Sequence, residues 1–137
     1  MNYWLLKSEP DVFSWDDLVK KGPSVWDGVR NYQARNNLKA MKKGDKALFY
    51  HSNIGREIVG IATITKPFFP DPTIDDERWV AVEVKAQKKF KNAVTLDTIK
   101  NTPALAKLPL VTHSRLSVMP VSELDFVLLC DMGGIVS

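Results

Sequence analysis

Apolar positions along this chain follow two rhythms, one of period two and one near 3.6, and their alternation divides it into short strands and helices. "NYWLLK" at residues 2–7 is aromatic and aliphatic and stops at "SEP", so it reads as a strand with Trp4, Leu6 and Ser8 on one face. "SWDDLVKKG" follows as a short helix: Ser14 is the N-cap, Asp17 completes a capping box and Gly22 ends it. A short extended piece covers Ser24 to Trp26. Past Gly28, Ala34, Leu38 and Met41 fall at i, i+4 and i+7, one apolar helical stripe closed by "KKGD".

"KALFYH" and "EIVGIATITKPFF" are expected as strands, the second apolar on both faces and therefore central in its sheet. "WVAVEVKAQ" alternates, with Val80, Val82, Val84 and Ala86 on one face and Trp79, Glu83 and Lys85 on a wet one. Between these strands, "PFFPDPTIDDERW" is proline-rich and acidic and reads as an irregular surface connection. "TLDTIKNTPALAKLPL" gives one or two short helices separated at Pro103, and "RLSVMPV" a late strand. "SELDFVLLCDMGG" closes as a helix with Ser122 as N-cap, Asp125 at the third position and Gly133 as stop. No repeat or flexible linker interrupts the order, so residues 1–137 are read as one domain, the last few residues a tail. The irregular interleaving predicts an α+β fold, a mixed sheet curled toward a small barrel rather than a doubly wound parallel one.

Composition adds limits more than direction. A length of 137 residues supports its own core, and 45% hydrophobic with 26% charged residues is ordinary for a globular domain. Cys130, the single cysteine, lies in "FVLLCDM" and reads as a small buried hydrophobe. No basic-then-apolar leader, membrane-length apolar run or N-x-S/T acceptor is present, so the expectation is a cytoplasmic protein with no membrane partner. The net charge of +3 and pI near 9.0 are a mild basic bias. Its lysines concentrate in "KAMKKGDK" and "KAQKKFKN", runs that usually form solvated faces.

Catalytic machinery is not evident. His51 and His113 are the only histidines, no His/Cys/Asp cluster has metal-ligand spacing, and GxSxG, GxxxxGK[ST] and GxGxxG are absent. Asp75, Asp76 and Glu77 are consecutive loop carboxylates that point in different directions. The expectation is a non-enzyme with no cofactor and no metal.

Instead, "SVWDGVRNYQARN" (residues 24–36) places Arg30 and Arg35 near a helix start, where free N–H groups already carry partial positive charge. Either a salt bridge to Asp27 absorbs the conflict or the stretch holds something anionic; Asp27 can equally face a ligand. Trp26, Tyr32, Phe49 and Tyr50 lie in sequence near Lys7, Ser8, Asn31, His51 and Ser52. A nucleobase needs that mixture: an aromatic face, polar groups for its edge, and cations for the phosphates on either side. Other residues have structural readings: Trp4 as core, Trp15 packing its helix down, Trp79 covering its neighbours, His51 as a hydrogen-bonded strand end. Trp26, Asn31 and Ser52 fall at element ends, where scaffolds present binding groups.

"YWLLKSEP", "WDGVRNYQARNNLKAMKKGD", "FYHSN", "IVGIATI" and "LVTHSRLSVMPV", in this order from Met1 to Gly134, resemble the EVE domain family. The resemblance implies a PUA-like fold, a small mixed β-barrel flanked by helices. It also implies a nucleic-acid-binding module, for DNA before RNA, whose pocket accepts a flipped, 5-modified cytosine. Carried onto this sequence, the base pocket draws on Ser8, Trp26, Val29, Asn31, Tyr32, Tyr50, His51 and Ser52, with Gly28 letting the backbone come close. Lys7, Glu9, Arg30, Arg35, Arg115 and Ser117 form the phosphate contacts or rim. The short linker "PDPTIDDERW" matches compact bacterial members, and a monomer is expected. The competing expectation is a small enzyme or metabolite-binding protein taking a nucleoside or other planar anion in the same pocket.

Overall fold

In the computed structural model, which describes residues 1–136, the chain runs β1 (Tyr3–Ser8), α1 (Trp15–Lys21), β2 (Ser24–Trp26), α2 (Tyr32–Ala40), β3 (Lys46–His51), β4 (Glu57–Pro70) and β5 (Val80–Thr95). It continues through α3 (Leu96–Lys100), a 3₁₀ turn at Pro103–Leu105, α4 (Pro109–Thr112), β6 (Val118–Val121) and α5 (Glu123–Met132). The expected tail includes Ser137, which lies outside the described residues.

One six-stranded sheet of order β2-β5-β4-β3-β1-β6 results, with β1 parallel to β3 and antiparallel to β6. A parallel pair needs a crossover, supplied here by α1, β2 and α2. The mixed α+β expectation holds, but the sheet is not closed into a barrel. Its edges, β2 and β6, are three and four residues long and do not pair with each other. The register shifts four times between β4 and β5, which bends the ribbon. Helix α2 then packs on β4, β5 and β6, and buried Ala34 and Leu38 seal by side-chain contact what closure would seal by hydrogen bonds.

Local signals explain the elements. The Ser14–Asp17 capping box forms in both directions, and Ser122 accepts from the Asp125 N–H. Gly60 is required by close approach: a Cβ there would lie 2.6 Å from the Trp15 ring and 2.9 Å from the Lys88 carbonyl oxygen. Trp4 is core, as expected, and its indole N–H donates to Asp45 Oδ2 at 3.0 Å. Asp45 also accepts from the Asn2 and Lys42 N–H groups, so this buried carboxylate ties the start of β1 to the turn before β3. The lysine run "KAQKKFKN" is a solvated face, as expected, carried on a strand: β5 continues through it, exposing Lys88, Lys89 and Lys91 while Phe90 is buried.

Candidate nucleic-acid interface

Three segments converge on a half-open cleft of about 540 Å³: the end of β1 with the turn after it, the turn leaving β2, and Ser117 just ahead of β6. That volume lies in the range of small-ligand sites. The turn after β1 is fixed by its own hydrogen bonds. Phe13 N–H donates to the Glu9 carbonyl at 2.8 Å, and the Ser8 hydroxyl donates to the Phe13 carbonyl. This brings Phe13 edge to face with Trp26, ring centroids 6.3 Å apart. Trp26 leans in turn on buried Phe49 at 5.6 Å, so the core sets the angle of the cleft's principal aromatic ring.

The second wall turns at Gly28, whose φ of 77° is open to glycine at little cost. Its N–H donates to Asp71 Oδ2 at 2.9 Å. Asp71 is buried and also accepts from Arg30 Nη1 at 2.9 Å, the Thr73 N–H at 2.8 Å and the Thr73 hydroxyl at 2.6 Å. Burial pushes its carboxyl up, but the hydrogen bonds from Thr73, Arg30 and Gly28 outweigh that and hold it at about 2. Arg30 also lies over the Trp79 ring, 5.7 Å from its centroid.

The conflict at the helix start is therefore settled by Asp71, not by Asp27. Asp27 lines the cleft, and among the described residues its carboxylate has no hydrogen bond or ion pair. Asp71 was hidden in a connection that reads as mere surface. Its one readable signal is the Asp-Pro-Thr order, in which an aspartate caps the N–H two residues on. Phe13 and Lys21 line the cleft as well and carry no sequence signal beyond being an aromatic in a turn and a cation at a helix end.

Of the residues singled out from sequence, Lys7, Ser8, Glu9, Trp26, Val29, Arg30 and Ser117 line the cleft. Lys7 is half-buried, which lowers its pKa, and its Nζ donates to the Ser114 carbonyl at 2.8 Å. Glu9 accepts from Asn53 Nδ2 at 2.9 Å. The others sit around this set. Asn31 is the N-cap of α2 and accepts from the Ala34 N–H. Tyr32 lies against Trp79 at 5.1 Å, with the Arg35 guanidinium 5.0 Å from the Tyr32 ring centroid.

Arg35 donates to Asn36 Oδ1 at 2.8 Å and has no carboxylate partner among the described residues, whereas nearby Arg78 is paired with Asp76 at 2.6 Å. Tyr50 is buried in β3, and that burial raises its pKa. Ser52 supports Ser8 from behind, its N–H donating to the Ser8 carbonyl at 2.9 Å. His51 faces a smaller hollow of about 250 Å³ beyond the same turn, beside Lys89 and Lys91. Its Nε2 accepts from the Trp15 N–H at 3.1 Å, and burial lowers its pKa toward the neutral ring that bond requires. Arg115 is exposed on the segment before β6. No group of three or more metal-binding side chains occurs among the described residues, and none of their helices is long and apolar enough to cross a membrane.

Fold and cleft together define a small α+β module that can hold a planar ligand against aromatic rings, within reach of lysine and arginine. The family model described as the EVE domain matches residues 2–132, and the chain belongs to that family. Mouse thymocyte nuclear protein 1 is 39% identical over 93% of this chain and 72% of its own length. The crystal structure of protein Atu2648 from Agrobacterium tumefaciens has a TM-score of 0.97 at 47% identity, covering 98% of this chain and 94% of that one. Human THYN1 protein in complex with 5-methylcytosine containing DNA has a TM-score of 0.90 at 33% identity, covering 97% of this chain and 98% of that one. The fold is also shared with a YTH domain from Zygosaccharomyces rouxii, with a TM-score of 0.62 at 16% identity, covering 99% of this chain and 88% of that one.

Proposed function

We propose that this protein binds nucleic acid, DNA in preference to RNA, by taking a flipped 5-modified cytosine into the cleft beside Trp26. One observation carries the reading. The human relative whose structure contains 5-methylcytosine DNA shares nearly the whole fold, and the cleft here supplies the aromatic, polar and cationic groups such a base requires.

Phe13, steeply inclined to Trp26, walls the slot, and Trp26 provides the stacking face, a contribution of about 1 to 3 kcal/mol per base. That offsets an extrusion cost of a few kcal/mol, which is smallest in single strands and at mismatches. A buried methyl adds about 0.8 kcal/mol, so packing alone discriminates modestly. Ser8 lies at the base edge, Val29 against the ring, and Ser52, Tyr50 and His51 hold the β3 end behind them. Lys7, Arg30, Arg35 and Arg115 neutralise phosphates, with Glu9 and Ser117 at the rim. Of the arginines near Trp79, Arg35 is the one not spent on a carboxylate, and it is steadied by Tyr32 and Asn36. Asn31, the N-cap, orients the α2 start, with Arg30 just ahead of the helix and Arg35 on it. The module acts as a cytoplasmic monomer that binds rather than catalyses.

Titrating labelled oligonucleotides that carry cytosine, 5-methylcytosine or 5-hydroxymethylcytosine tests this, with Trp26→Ala and Asn31→Ala alongside. A preference for the modified bases that is lost in Trp26→Ala, and binding that weakens with salt, are expected. Equal affinity for all three, untouched by either substitution, would sink the reading. A free nucleoside bound as tightly as an oligonucleotide would point to a metabolite site instead.

A further inference from the structure

Reading a 5-methyl group by shape leaves a chemical problem unsolved. Thymine carries the same methyl on the same ring as 5-methylcytosine, and the two differ at position 4: cytosine has an amine that donates, thymine a carbonyl that accepts. Contact with the methyl cannot separate them. An acceptor that cannot donate can, and a carboxylate is such a group.

The cleft has two carboxylates, Glu9 and Asp27. Glu9 is turned toward the hairpin after β3, where Asn53 occupies it. Asp27 is engaged by nothing among the described residues. It directly follows Trp26, the ring assigned to stacking, and precedes Gly28, where the chain turns away. The cations that could close on it are employed elsewhere. Arg30 is held at 2.9 Å by Asp71 and at 3.2 Å by the Thr73 hydroxyl, and the Lys7 ammonium donates at 2.8 Å to the Ser114 carbonyl. Lys21, the third, sits 6.0 Å from the centroid of the Phe13 ring. With Arg30 held by buried Asp71, Asp27 lines the cleft without a partner among the described residues.

We propose that Asp27 is the specificity-determining acceptor for the exocyclic 4-amine of the bound base, so that the cleft admits cytosine and its 5-modified forms and turns away thymine, 5-hydroxymethyluracil and uracil. This rests on the base-binding reading above and deepens it. A 4-carbonyl at the same place sets its lone pairs against the carboxylate and leaves that carboxylate without a donor, which is how polar sites reject an analogue of the same shape.

The test is a set of four single-stranded oligonucleotides carrying cytosine, 5-methylcytosine, uracil or thymine at one position; single strands keep base pairing out of the comparison. The wild-type chain should prefer the 4-amino base in both pairs, by on the order of ten-fold. Asp27→Asn, whose amide both donates and accepts, should bring each pair to within about two-fold. Asp27→Ala should weaken the cytosines and strengthen the uracils, whose 4-carbonyl no longer faces a carboxylate. Equal wild-type binding within each pair, or a wild-type preference retained by Asp27→Asn, overturns the assignment. The methyl axis reports separately. A chain that ignores the 5-methyl but separates cytosine from uracil through Asp27 refutes modified-base reading and supports this acceptor. Methyl preference without 4-position preference does the reverse.

Discussion

Two aspartates, one on each side of the Gly28–Arg30 turn, show how the same side chain is put to opposite uses. Asp71 is buried and receives donors from Gly28, Arg30 and both the backbone and hydroxyl of Thr73. Asp27 is exposed at the cleft mouth and receives none among the described residues. The difference lies in the backbone rather than the residue. Where N–H groups are delivered to a carboxylate before any ligand arrives, it becomes structure; where none are delivered, it remains available.

The most disruptive way to probe this contrast is Asp71→Ala. It strands two backbone N–H groups, a hydroxyl and a guanidinium around a buried position, and should lower stability by about 2 to 4 kcal/mol in urea unfolding. It also frees Arg30 to close on Asp27, so oligonucleotide affinity should fall further than instability alone explains. Acid offers a graded version. The Asp71 carboxyl is held at about 2 against an ordinary 3.8, so its contribution is intact above about pH 4 and is lost as pH falls toward 2. Denaturation midpoints should drop across that window, and the drop should be shallower in Asp71→Asn. The smallest effect belongs to the other aspartate. Asp27→Ala should leave the melting temperature almost unchanged, within about 0.5 kcal/mol of stability, because nothing folded depends on it. A large loss would mean that the two aspartates are alike after all.

Much of the fold is legible in the sequence because it is written locally. The Ser14–Asp17 box, the Ser122 cap and the Ala34–Leu38–Met41 stripe each state an element within a few residues. What escapes is information held by distant partners. The lysine run at residues 85–92 looks like a solvated patch, and only antiparallel pairing with β4 makes it strand, with Phe90 inward. Barrel closure depends on whether β2 and β6 meet, and their shortness and the position of α2 are not local properties.

The site divides along the same line. Trp26 could be picked out because it stands at an element end, and Ser8 and Lys7 because they lie near aromatic residues in sequence; all three line the cleft. Tyr32 and His51 are near in sequence to cleft-lining residues, yet the first lies against Trp79 outside the cleft lining and the second faces the far side of the Glu9–Ser14 turn. Asp71 lies 41 residues from Arg30, and its role follows from four donors that no single window of sequence contains.

The placement of β1 has a consequence for how the protein comes into being. Its two edges are taken by β3 and by β6, so Leu6 waits for Val118, and the Lys7 N–H for the Ser117 carbonyl, over a hundred residues downstream. Ser117 is also part of the cleft rim. A nascent chain still emerging from the ribosome can form the β3–β4–β5 ribbon, but it has no finished rim until this last strand is made and docks. Synthesis itself thus withholds the cleft until nearly the whole chain has been made.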